Sequence, residues 1–239
     1  MIFLSMDGGI LLKCFIRMDT MYCMKLESCG ILIGMRPLNE RDAIARIFSR
    51  DFGLLSGVLR AGVIAKKNRP LVGQVGIFSW NARLDSQLGI FHWEAEKNMA
   101  APIFLNQGAM ACMNAAFDIL AGLLPEREAY GDLYDETLKL MCALGGGDVA
   151  AYLGWEVALL RELGYALDLS RCSGCGVTQG LQYLSPKTGR AVCVKCAAPY
   201  IDKLYKLPLT PAVTLRFLDR VCDQQGTQMP VMRKMLNFD

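Results

Sequence analysis

The chain has 239 residues, 53% of them hydrophobic and 21% charged, with a formal net charge of +3. That size and balance give one large domain or two small ones with a substantial core, and they exclude a disordered or collagen-like chain. The longest uncharged window, 98–117, is interrupted by Pro102, Asn106, Gln107 and Asn114, which argues against a transmembrane span.

The chain opens on an apolar run, Met1 to Phe15, but Asp7 splits it and no small-residue cleavage site follows. A secretory signal is therefore not expected, and a cytoplasmic location is. Met6, Met18, Met21 and Met24 lie close together, so residues 1–23 are either a first strand or an extension ahead of the domain.

Gly30 to Met35 reads as a strand, and Asp51 and Gly53 mark a turn between strands at Ala43–Ser49 and Leu54–Arg60. Phe78, Trp80, Ala82 and Leu84 alternate with polar residues, as do Phe91, Trp93 and Ala95, with Asp85 to Gly89 as the hairpin turn. About five short strands predict a small barrel over residues 24–99, the OB fold being the commonest that grips a nucleic acid strand. His92, the only histidine, is expected exposed on its strand, so no histidine metal cluster or general base is at hand.

The period changes near residue 100. Ala109, Met113, Phe117, Leu120 and Leu124 recur at helical spacing, as do Leu133, Leu138 and Met141, and a helical domain is expected over 100–239. Asp132, Asp135 and Glu136 read as a solvated face, and Gly145, Gly146 and Gly147 as a turn, since no Lys-Ser/Thr pair makes them a phosphate loop. Asp148 can cap a helix whose apolar residues Leu153, Val157, Leu160 and Leu163 share one face before Gly164 ends it. Thr210 and Pro211 begin another, carrying Val213, Phe217 and Val221.

Between those helices Cys172 and Cys175 form one C-x-x-C and Cys193 and Cys196 a second, with 17 residues between the pairs. That spacing predicts a two-knuckle zinc site: four thiolates close a tetrahedron and leave no position for water, so the zinc is structural. Ser185, Pro186 and Gly189 suit a tight turn between two short strands in this insertion, residues 172–196. Cys14, Cys23, Cys29, Cys112, Cys142 and Cys222 show no pairing and read as core residues or free thiols.

Charge is unevenly placed. Residues 24–97 are net +4 and residues 98–171 net −6, while 172–200 carry three cations and no acid. Arg60 precedes Lys66, Lys67 and Arg69 in a loop beside the predicted sheet, where flexible cations suit a phosphate backbone; the alternative is a solvated loop.

Gly30-Ile-Leu-Ile, Arg36-Pro-Leu-Asn-Glu-Arg-Asp42, Phe48-Ser-Arg-Asp-Phe-Gly-Leu54 and Arg60-Ala-Gly62 resemble the amino-terminal barrel of the RecO family of bacterial DNA repair proteins. Pro125-Glu-Arg-Glu128, Trp155 to Gly164, Leu167 to Cys172 and Tyr183 to Arg190 are similar to its helical domain and insertion. The resemblance covers roughly residues 24–236, and residues 1–23 match nothing in it. Not every relative keeps four cysteines, so zinc rests on the spacing found here.

The resemblance implies a recombination mediator that is not an enzyme. Such proteins bind single- and double-stranded DNA, anneal complementary strands, engage single-stranded DNA-binding protein, and work with RecR to load RecA. DNA contact is carried onto Arg36, Arg60, Lys66, Lys67 and Arg69, with Arg41 and Arg46 as weaker assignments and Arg127 and Arg161 as candidates for the protein partner. Two rivals stand beside this reading. One is a metal-dependent nucleic-acid enzyme, which four cysteines and a lone histidine disfavour; the other is a zinc-containing adaptor that does not bind DNA.

Overall fold

The computed structural model describes residues 24–60, 69–82 and 88–236. The question of the 1–23 extension, residues 85–87 of the turn expected at Asp85 to Gly89, and Lys66 and Lys67 lie outside them, and Gly89 belongs to the following strand rather than to the turn. Alternation produces five strands: β1 (Met24–Pro37), β2 (Ala43–Ser49), β3 (Gly53–Leu59), β4 (Gln74–Ala82) and β5 (Gly89–Asn98). β1 pairs with both β2 and β4, β3 joins β5 in the parallel pair, and the sheet closes in the order β1-β2-β3-β5-β4. This is the five-stranded barrel expected of an OB fold.

Its inside is packed with Leu26, Leu32, Ala45, Ile47, Leu55, Leu59, Phe78, Trp80, Ala82 and Phe91. Trp80 fills one end and donates its indole N–H to the Ser56 carbonyl at 3.0 Å. A Cβ on Gly89 would collide with that ring, so the start of β5 needs a residue without one.

The helical part follows as α1 (Ala100–Ile103), α2 (Gln107–Leu123), α3 (Gly131–Gly145) and α4 (Ala151–Glu162). Asn106 caps α2 by accepting from the Ala109 N–H at 3.0 Å, and α3 ends in the glycine run, with Gly147 at φ +87°. After α4 come β6 (Leu181–Leu184), β7 (Ala191–Cys193), α5 (Val194–Ala197), a 3-10 turn and β8 (Tyr205–Lys206). The strands form a small sheet in the order β7-β6-β8. The chain then enters α6 (Pro211–Gln225), with Pro211 in its first turn, and α7 (Val231–Met235). No helix among the described residues is long and apolar enough to cross a membrane.

Two expectations for α4 need correction. Asp148 does not occupy the cap position; its carboxylate accepts from the Ala150 N–H at 3.0 Å, and Ala150 stands at the helix start. The buried face is Tyr152, Trp155, Glu156, Leu159 and Leu160, while Leu153, Val157 and Leu163 are only half-buried. The helix is rotated because Glu156 points inward. Its fully buried carboxylate pairs with Arg233 of α7, with Nη2 to Oε2 at 3.1 Å, and accepts from the Thr214 hydroxyl of α6 at 2.6 Å. Arg233 also donates to the Pro211 carbonyl at 2.7 Å, so one pair ties three helices together.

Candidate nucleic-acid interface and metal centre

The outer face of β1, β2 and β3 is built in successive rows set by strand register. Ile31, Phe48 and Leu54 stand opposite one another and are buried in the core shared with the helices. The next row is Gly34, Arg46 and Ser56. Arg46 donates to the Ala121 carbonyl of α2 at 3.3 Å, and the Ser56 hydroxyl meets the Glu126 carboxylate. The third row, Arg36, Ile44, Val58 and Ile90, has exposed Arg36 beside three half-buried aliphatic side chains. A β-bulge between Leu32 and Gly34 shifts the alternation of β1 and turns Arg36 outward.

The third row runs to the rim of the barrel. Pro37 pairs with Ala43, and Ala43 with Leu59, so the turn 38–42 and the exposed Arg60 lie at the same end. Asn39 fixes that turn by accepting from the N–H of Arg41 at 2.8 Å and of Asp42 at 2.7 Å, which leaves Arg41 exposed. The structure therefore gathers Arg36, Arg41 and Arg60 at one rim. Arg69, the first described residue after 61–68, is exposed.

Arg46 is set apart from this group, since its guanidinium holds the barrel to α2. Arg127 is likewise turned inward: at φ +64° its guanidinium lies over the Trp80 ring, 4.9 Å from the centroid, and its N–H donates to Leu54 at 2.9 Å. Arg161 is exposed beside Glu162. Asp135, expected on a solvated face, takes a two-pronged hydrogen bond from Arg50 at 3.0 and 3.1 Å and pins the β2–β3 turn to α3. Period-two alternation places Ile44 and Val58 outward, but only the pairing register puts them in line with Arg36.

The metal centre has the predicted residues. The sulfurs of Cys172, Cys175, Cys193 and Cys196 all lie within 4.8 Å of one another. Zn–S bonds of about 2.3 Å require S···S separations of about 3.8 Å in a regular tetrahedron; Cys175 and Cys193 stand 3.7 Å apart. The first knuckle is folded by backbone: Gly176 donates to the Cys172 carbonyl at 2.9 Å and adopts φ +77°. Gly174 lets Cys196 approach, for a Cβ there would come within 3.1 Å of its sulfur.

N–H groups of Cys193 and Cys175, then of Gly174, hold the Cys172 thiol down to about 6, stabilising thiolate as a metal ligand requires. Hydrogen bonding with Cys175, and then with Cys193 and Cys172, pushes Cys196 up to about 12, because protons are then shared among crowded sulfurs. Four sulfurs at this spacing, two buried, with N–H groups aimed at one of them, fit a divalent ion. The ion would cross-link the ends of the ribbon; all-sulfur ligation leaves no open position for chemistry.

The family description "Recombination protein O C terminal" matches residues 107–223. A protein of Jannaschia sp. (strain CCS1) called DNA repair protein RecO is 43% identical over 194 residues, covering 80% of this chain and 78% of that one. A protein of the same name from Cereibacter sphaeroides is 36% identical over 225 residues, covering 87% and 94%. One from Rickettsia bellii is 34% identical over 186 residues, covering 77% of each. A barrel closed in OB-fold order, a helical unit carrying a four-cysteine insertion, and these matches over most of the length place the chain in the RecO family of DNA repair proteins.

Proposed function

We propose that this protein is a recombination mediator without catalytic activity. It binds single- and double-stranded DNA at the barrel rim, anneals complementary strands, and acts with RecR and single-stranded DNA-binding protein to assist loading of RecA. The observation that carries the reading is the open row Arg36-Ile44-Val58-Ile90, continued at the rim by Arg41 and Arg60, on the face that OB folds use for oligonucleotides. The row offers cations and aliphatic surface and no aromatic ring, so backbone phosphates rather than stacked bases supply the affinity. Phosphates neutralised on one surface let two strands approach and pair without nucleotide hydrolysis. A structural zinc at Cys172, Cys175, Cys193 and Cys196 belongs to the same proposal.

The test is salt-dependent binding. Log affinity for single-stranded DNA falls against log salt with a slope of roughly −0.7 per phosphate contact. Replacing Lys66, Lys67 and Arg69 together by Ala is expected to weaken binding to every sequence alike, to flatten the slope by about 2, and to slow annealing in parallel. Replacing Arg36 and Arg60 should act in the same direction. Parent-like binding and annealing in both variants would leave the adaptor as the better account.

A further inference from the structure

We infer that copies of this chain associate through their helical parts, the exposed corner Phe104–Leu105 of one copy seating in an apolar groove on the cysteine ribbon of the next. The corner joins α1 to α2. Leu105 is 91% exposed and Phe104 52%, yet the backbone beneath them is tied down. The Phe104 N–H donates to the Ala100 carbonyl at 3.0 Å, the Asn106 N–H donates to that of Ile103 at 3.0 Å, and the Asn106 side chain caps α2. Two large apolar side chains held in water on an ordered turn form a preorganised knob, which loses little freedom when it is covered.

The groove has a volume of 580 Å³ and lies between the first knuckle and the start of α5. Val177 and Val194, 45% and 48% exposed, line it together with Cys175 and Cys193. Lys195 brings a cation to the lining, and no carboxylate is among the described lining residues. The Cys172 N–H fixes the wall by donating to the Val177 carbonyl at 2.8 Å. Charge selects the occupant. The corner packs on the connection between α3 and α4, where Gly145 stands against Pro102 and Gly108 against Val149, and the one charged residue in 140–152 is the exposed Asp148. No lysine or arginine occurs between Lys97 and Arg127. Other exposed apolar groups stand among cations in the chain, Leu38 between Arg36 and Arg41, and Met232 and Met235 on either side of Lys234, and these would bring like charge to Lys195. A knob flanked by Asp148 and a groove flanked by Lys195 match in polarity and in sign. The contact uses no barrel residue, so it leaves the rim open and does not rest on the DNA reading.

The experiment is sedimentation velocity on the full, metal-loaded chain across the micromolar range. The parent should shift toward dimers or larger assemblies as its concentration rises. Leu105→Asp and Val194→Asp should each stay monomeric, with the parent's zinc content and circular dichroism. Mixed together they should form a one-to-one pair, because the first keeps its groove and the second keeps its corner. Should Val194→Asp lose zinc, Val177→Asp takes its place in the mixture. Lys195→Glu should weaken association by about tenfold, and adding Asp148→Lys to the same chain should restore it. A parent that stays monomeric, a Leu105→Asp variant that associates like the parent, or two variants that remain apart when mixed would each overturn the inference. None of those results bears on DNA binding at the rim, which is measured separately.

Discussion

The barrel and the cysteine ribbon are both small antiparallel-rich sheets, yet opposite forces hold them. The barrel closes on itself around a cluster of hydrophobic side chains headed by Trp80, Phe78 and Phe91. The ribbon's own buried cluster is Cys172, Tyr183, Val192, Cys193 and Ala197, two of them cysteines, with Leu184 lent to the main core. A two- or three-stranded sheet with so little apolar surface does not stand alone in water. The lesson is that hydrophobic enclosure stabilises the first region, whereas the second has little enclosure of its own and leans on the main core and on the cross-link that a metal at its four cysteines would supply.

Metal removal is the strongest way to break that contrast. With chelator, or in Cys193→Ser, amides of residues 172–197 should lose hydrogen-exchange protection while those of β1 to β5 keep theirs. Equal protection with and without chelator, or protein purified without chelator that holds no stoichiometric zinc, would remove the cross-link from the account. Next in size is Arg233→Met, which strands the Glu156 carboxylate inside the helices. Urea unfolding should show a loss of about 3–5 kcal/mol, with partial recovery on adding Glu156→Gln.

Smaller effects sharpen the comparison at the barrel's junction. Gly53 sits at φ +63°, and a Cβ there would overlap the Glu128 carbonyl, so Gly53→Ala should cost more than about 1 kcal/mol in the same measurement. Arg46→Ala removes one hydrogen bond to the Ala121 carbonyl and should cost about 1 kcal/mol or less. Its effect on the DNA salt slope should be smaller than that of Arg36→Ala; an equal effect would return Arg46 to the binding surface.

Much of this was legible in the amino acids because each region announces itself locally. Alternation around Phe78 and Phe91 gave strands, Thr210-Pro211 gave the start of α6, and paired cysteines gave the ribbon. What stayed hidden depended on partners far along the chain. The buried face of α4 was misjudged because Glu156 meets Arg233, 77 residues away, and a carboxylate in isolation belongs in water. Arg36 and Arg46 look equivalent in sequence, and strand register plus the contact with α2 separates them. Two stretches that carry the family resemblance, Phe48–Leu54 and Pro125–Glu128, meet each other: the Arg127 N–H bonds the Leu54 carbonyl and Gly53 lies against Glu128. Their composition thus reflects the seam between barrel and helices, a cause that neither stretch reveals by itself.

The bond between Thr214 and Glu156 joins α6 to α4 directly, across the whole excursion that contains the ribbon. The host helices therefore hold the two ends of the excursion together, whatever lies between. Lengthening such a closed segment costs little, about 0.6 kcal/mol for each doubling of a flexible loop. In evolutionary terms the ribbon is a place of latitude: descendants are free to shorten it, exchange its cysteines for apolar residues, or graft a new surface onto it, while the helices that carry it inherit the same packing.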